Sequence, residues 1–142
     1  MTGLLVLVSA HAFAGPTPED EIAVRSGLPA SEVNALLSDC DSNQTSMNFC
    51  AWRDQLVAER DLQRVVDKQV SERPERKKVL DAQIARWKKA RDASCEKSTR
   101  NAWSNGSMRP AAQAICVTAA TKEMTKRLSA SASRKPSRTH SK

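Results

Sequence analysis

From Ser46 to Val70 the chain contains neither Gly nor Pro, and its large apolar residues recur as Phe49, Trp52, Leu56, Leu62, Val65 and Val66. Recurrence at intervals near three and four keeps side chains on one face of an α-helix, so this run predicts one long helix. Thr45 is a natural N-cap for it, and Glu72-Arg73-Pro74 a natural stop, because Pro lacks the amide proton and clashes with the preceding turn. A second run, from about Glu75 to Ala102, spaces Leu80, Ile84, Trp87, Arg91 and Cys95 along one face, which makes Trp87 a core residue. The stretch NAWSNGSMRP then supplies a loop around Gly106 and Pro110. A last helix from Ala111 carries Ile115, Cys116, Ala119, Ala120, Met124 and Leu128 as its expected core stripe. Upstream, Ile22 to Leu37 reads as a short amphipathic helix capped at Ser31 after the break Gly27-Leu28-Pro29. The pattern predicts an all-α fold: a small antiparallel bundle of three to four helices.

The N-terminal segment MTGLLVLVSAHAFA, residues 1–14, is apolar and ends in Ala12-Phe13-Ala14. That is the apolar core and small-residue cleavage site of a secretory signal, although no Lys or Arg precedes it, and it is well short of the ~20 residues that span a bilayer. Nothing later is apolar for long enough to form a transmembrane segment. The expected mature chain begins near Gly15 and is periplasmic or secreted. Its organisation is read as a short helical segment over 15–38, a helical domain over 39–128 and a disordered basic tail over 129–142. A single domain of this size buries only about two-thirds of its unfolded surface. With aromatics at 4 % and no Tyr, its core is thin.

Four cysteines, Cys40, Cys50, Cys95 and Cys116, bear on that weakness. In a small exported chain they are best read as two disulfides, each worth about 2–4 kcal/mol. Structural zinc sites draw ligands from close pairs such as C-x-x-C, and no such pair exists here; the two His residues, His11 and His140, fall in the signal and the tail. No metal and no cofactor are expected. Reflecting the two central helices about a turn near Arg73 sets Cys50 opposite Glu96, beside Cys95. The favoured pairing is therefore Cys50 with Cys95 and Cys40 with Cys116. The same reflection through Ser107, however, brings Cys116 opposite Ser98, which is also close to Cys95.

The scarcity of His removes Ser-His-Asp and Cys-His chemistry from the folded part, and neither a P-loop nor a G-x-G-x-x-G stretch is present. Asp54, Glu59, Asp61, Asp67, Asp81 and Asp92 sit among Arg and Lys on helical sequence, as solvated, ion-paired faces do. An enzyme is not expected. The break and helix over residues 26–37 also resemble a helix-turn-helix reader, but an exported, disulfide-bonded chain has no operator to read, and no specific nucleic acid is expected.

Taken together, Asp39-Cys40 with Thr45, Met47-Asn48, Cys50-Ala51, then Leu80, Gln83, Trp87, Arg91-Asp92-Ala93 and Cys95, the Gly106-Ser107 loop, and Cys116, Thr121 and Leu128 resemble the lysozyme-inhibitor LprI-like family. These are small exported, mainly bacterial proteins, and the match covers Asp39 to Leu128. The resemblance implies a helical, disulfide-stabilised module that acts by binding, with lysozyme as the partner of its best-known members. The chain departs from the family pattern at Ala58-Glu59, Leu62-Gln63, Val66 and Met124, and the pattern itself describes a scaffold more than a binding surface. The alternative is a periplasmic scaffold or envelope-interaction module without lysozyme activity.

Charge locates the candidate contacts. The net charge is +7, and from Lys126 onward there are six basic residues and no acid, so the rest of the mature chain is near neutral. Glu19, Asp20, Glu21, Asp39 and Asp41 form its acidic cluster, suited to a basic lysozyme. Non-helical segments held by the cysteines are the expected contact sites: Asp39, Asp41 and Asn43 ahead of the first long helix, and Asn105, Ser107 and Arg109 in the loop Ser104 to Arg109. Asn43 and Asn105 also open two N-x-S/T sequons, read here as helix-cap and turn chemistry. The Ser-rich basic tail reads as a solubilising end, with an arm that meets anionic envelope polymers as the alternative.

Overall fold

The computed structural model describes residues 15–134. They form five α-helices, α1 Pro18–Ser26, α2 Ala30–Ser38, α3 Gln44–Glu72, α4 Lys77–Trp103 and α5 Arg109–Ser133, with a 3-10 turn at Pro74–Arg76. The all-α, disulfide-stapled bundle expected from the periodicity is the fold. The expected signal, residues 1–14, and residues 135–142 of the expected tail lie outside the described residues.

The expected single N-terminal helix is two. Gly27 ends α1 in the left-handed region at φ 73°, where a side chain would be strained. The start of α1 is a capping box: Thr17 N–H donates to Asp20 Oδ2 at 2.9 Å, and Asp20 N–H donates to Thr17 Oγ1 at 3.1 Å. Ser31 does not cap α2, which starts at Ala30 behind Pro29 with no side-chain cap. Nor does Thr45 cap α3: Asn43 does, its Oδ1 accepting from Ser46 N–H at 2.9 Å.

The 3-10 turn reverses the chain so that α4 runs antiparallel to α3, and the loop after Trp103 reverses it again. The last helix therefore runs parallel to α3. Ala51 packs with Ala111 and Ala114 at one end, and at the other Gln69 Nε2 donates to the Leu128 carbonyl at 2.8 Å. Met124 and Leu128 of the expected stripe do pack on the core, but the first half of α5 buries a different face. Ala111, Ala114, Val117, Thr118 and Thr121 are buried, whereas Ile115 is 57 % exposed. Small side chains let α5 lie close against α3, and the two Thr hydroxyls tolerate burial because they donate to the Ala114 and Val117 carbonyls, each at 2.7 Å. Farther along, α3 and α4 meet through longer side chains: Leu62, Val66, Leu80 and Ile84 form the main core, with Trp87, Met124 and Leu128 packed on it.

A buried cation crosses this bundle. Arg91, 7 % exposed, donates to Thr121 Oγ1 at 2.9 Å, pairs with Glu59 at 3.2 Å and Asp92 at 2.7 Å, and lies over the Trp87 ring. It thus ties all three long helices, and its charge is answered on every side. The α1–α2 pair covers another face of α3, where Ile22, Val33 and Leu56 form a second core with Phe49 and Trp52. Arg60 reaches back to the Pro16 carbonyl and to Glu21.

The disulfides are Cys40–Cys50 and Cys95–Cys116, not the favoured Cys50–Cys95 and Cys40–Cys116. The 3-10 turn lengthens the reversal, and the Glu59–Arg91 pair fixes the resulting register. One turn beyond Arg91, Cys95 comes level with Gln55, more than a turn from Cys50. It faces α5, where Cys116 stands at a Cα separation of 5.7 Å. Cys40, on the segment that doubles back before α3, meets Cys50 at 5.8 Å. The helix α5 also continues to Ser133, so residues 129–133, expected in the unfolded tail, are helical.

Candidate functional site

Because α3 and α5 run parallel with α4 between them in sequence, the start of α3, the end of α4 and the start of α5 share one end of the bundle. Both segments expected to carry contacts, 39–43 and 104–109, are at this end, and each is anchored by its own disulfide.

The first segment is a compact turn. Asp39 Oδ1 accepts from Asp41 N–H at 3.2 Å, and the Asp39 carbonyl accepts from Ser42 N–H at 3.3 Å and Ser42 Oγ at 2.9 Å. The Asn43 carboxamide is spent internally, its oxygen on the cap and its nitrogen donating to Ser42 Oγ at 3.1 Å. This is the cap role read from its sequon, and it fixes the orientation of the carboxamide. The exposed carboxylates of Asp39 and Asp41 have no basic partner within ion-pair distance among the described residues. They are the available groups here.

The second segment is tighter. Gly106 N–H donates to the Trp103 carbonyl at 2.9 Å and Arg109 N–H to the Gly106 carbonyl at 3.0 Å. Inside the first of these turns Ser104 adopts φ 49° and ψ −118°, the one positive φ of a non-glycine residue among the described residues. That conformation belongs to Gly at the first central position of a type II′ turn, so the Ser is strained. Arg109, starting α5, braces the loop from below by donating to Asn105 Oδ1 at 3.0 Å and approaching Glu96 at 3.8 Å. Asn105 and Arg109 are thus supports, while Ser107 stays exposed at the tip.

A residue not singled out from the sequence stands beside this tip. Trp103, the last residue of α4, is 47 % exposed. Its only sequence signal is position: an aromatic immediately before a Ser-Asn-Gly turn falls where a helix stops covering it. Of the remaining acidic cluster, Glu21 is occupied by Arg25 and Arg60, and Asp20 by the capping box. The Thr17 backbone N–H, followed by its hydroxyl, holds the Asp20 carboxyl below its ordinary pKa. Among the described residues no group of three or more His, Cys, Asp or Glu is arranged to hold a metal ion, and no helix is long and apolar enough to cross a membrane.

An all-α bundle with a disulfide beneath each of two exposed turns is a scaffold for presenting loops, and the turns carry side chains suited to contact with another macromolecule. The model of the lysozyme inhibitor LprI family matches residues 38–128, and the chain belongs to that family. No curated protein and no solved structure gives a significant match. The family assignment agrees with the two disulfides, which persist in oxidising compartments.

Proposed function

We propose that the protein is exported and inhibits lysozyme by steric occlusion, without chemistry of its own. The observation that carries this reading is the family match over 38–128, which includes all four cysteines and both turns. The turn end of the bundle is the contact surface in this reading. The braced loop 104–108, with Trp103 at its shoulder and Ser107 at its tip, enters the substrate cleft, and Asp39 and Asp41 dock against the basic surface around it. A loop held in its bound shape loses little entropy on binding, and a half-exposed Trp is the residue type that most often dominates such contacts.

Inhibition by occlusion needs no turnover, so the purified, oxidised protein slows lysis of peptidoglycan by lysozyme at stoichiometric concentrations. Trp103→Ala weakens inhibition at least about tenfold while leaving the helical circular dichroism intact. Absence of inhibition against several lysozyme classes, with both disulfides verified by mass spectrometry, would overturn the proposal in favour of an envelope-interaction module.

A further inference from the structure

At the end of the bundle remote from these turns, a cavity of about 260 Å³ opens between the end of α3, the 3-10 turn, the start of α4 and the end of α5. Arg73, Arg76 and Arg134 line it, with Glu72, Gln83 and Ser131 among its other polar walls. None of the three arginines has a carboxylate within ion-pair distance among the described residues, although ten ion pairs form elsewhere among those residues.

Two helix C-termini converge here, so the arginines would be expected to serve the terminal carbonyls. Among the described residues, however, the side-chain and cap hydrogen bonds at this end come from other groups. The Gln69 amide donates to the Leu128 carbonyl at 2.8 Å, as does Ser131 Oγ at 2.9 Å, and Arg73 N–H closes α3 on the Gln69 carbonyl at 3.0 Å. Among the described residues the three guanidinium groups make no hydrogen bond, and each carries five N–H donors. Three cations against the single carboxylate of Glu72 leave the walls with a net positive charge.

The geometry points to a phosphate-binding site, taking a phosphate monoester or diester group either free in solution or on a lipid headgroup. Planar guanidinium forks match tetrahedral phosphate oxygens in pairs, which single ammonium groups do not. The volume suits a phosphate with a small ester substituent and falls below the roughly 300–1,000 Å³ of sites for larger organic ligands. Gln83 is placed to hydrogen-bond the ester portion. The site is independent of lysozyme inhibition, since it lies at the opposite end of α3 and α5 from the candidate loops.

The test is a heteronuclear NMR titration of the full mature chain with inorganic pyrophosphate and with glycerol 3-phosphate, alongside flotation with phosphatidylglycerol and phosphatidylcholine vesicles. Expected are saturable shifts confined to Arg73, Arg76, Gln83 and Ser131. The Arg73→Ala/Arg76→Ala pair should weaken binding about tenfold or more, and Glu72→Gln should tighten it. Replacing Arg73 and Arg76 by Lys keeps the charge but should recover only part of the affinity. Saturable binding of glycerol 3-phosphate or pyrophosphate identifies a free phosphate ligand, whereas retention on phosphatidylglycerol vesicles alone identifies a headgroup. The proposal is overturned by diffuse, unsaturable shifts, by full binding in a folded Arg73→Ala/Arg76→Ala variant, or by loss of binding only when Lys135, Arg138 and Lys142 are changed to Gln.

Discussion

Ser104 holds a backbone conformation that costs a non-glycine residue about 1–3 kcal/mol, and nothing in its own side chain offsets it among the described hydrogen bonds. The substitution Ser104→Gly removes that strain but adds freedom to the unfolded chain, worth roughly 0.4–1 kcal/mol in the other direction. Chemical denaturation of Ser104→Gly should therefore show a gain of about 1 kcal/mol, and an equal or lower stability would mean that the turn is not strained. Asp20 gives a second test at this scale. Its folded pKa is lowered, chiefly by the Thr17 backbone N–H, so its support for α1 is present above the usual carboxylate range and is lost as pH falls through the lowered value. The protection of amides in the first turn of α1, taken relative to their intrinsic exchange rate at each pH, should fall on that acid limb, and in Asp20→Asn it should no longer change there.

The helices themselves were legible in the sequence, because apolar residues at helical spacing, Pro74 as a stop and Gly106 in a loop are local signals. The packing around α5 was not. Ile115 and Ala119 look like core and are exposed, while Thr118 and Thr121 look like surface and are buried. A hydroxyl that can return its proton to the preceding turn changes sides without changing its letter. The cysteine pairing failed for a related reason. Reflection about a turn estimates how high a residue sits on its helix but not which way it points, and Cys95 points at α5. The ring closed by Cys95–Cys116 has a sequence separation of 21, for which loop entropy predicts about 3 kcal/mol. The Cys95→Ser/Cys116→Ser pair should lose about that much in urea titration, and non-reducing peptide mapping should join Cys40 to Cys50. Of the candidate site residues, Asp39, Asp41, Asn43, Asn105 and Ser107 are exposed, and Asn43 and Asn105, read from the sequence as cap and turn residues, also hold the turns together with Arg109. Trp103 fell in the stretch read as loop, whereas it closes α4.

Across the whole molecule, charge is segregated along the sequence. Through Gln63 there are nine acidic residues and three basic ones, and beyond it twenty basic and seven acidic. The near-neutral body inferred from the tail alone is thus a sum of unlike parts. The acidic part comprises α1, α2, the 39–43 turn and the first half of α3; the far end carries the arginines of the phosphate site. Such a molecule orients in the field of a basic partner before touching it. Asp39→Asn/Asp41→Asn should slow association with a basic lysozyme, with little change in dissociation, and the difference should shrink as salt shortens the screening length below about 8 Å. A change confined to the dissociation rate, measured by surface plasmon resonance, would place these carboxylates in a desolvated contact instead.

Four cysteines can pair in three ways, and this chain uses the one in which each joins its nearest neighbour in sequence. When a polypeptide enters an oxidising space N-terminus first, Cys40 and Cys50 arrive together and can close their ring before Cys95 appears. The second ring then closes with no competing thiol left. Order of arrival and native connectivity coincide, so for a chain entering in that order an oxidant alone suffices to form both bonds.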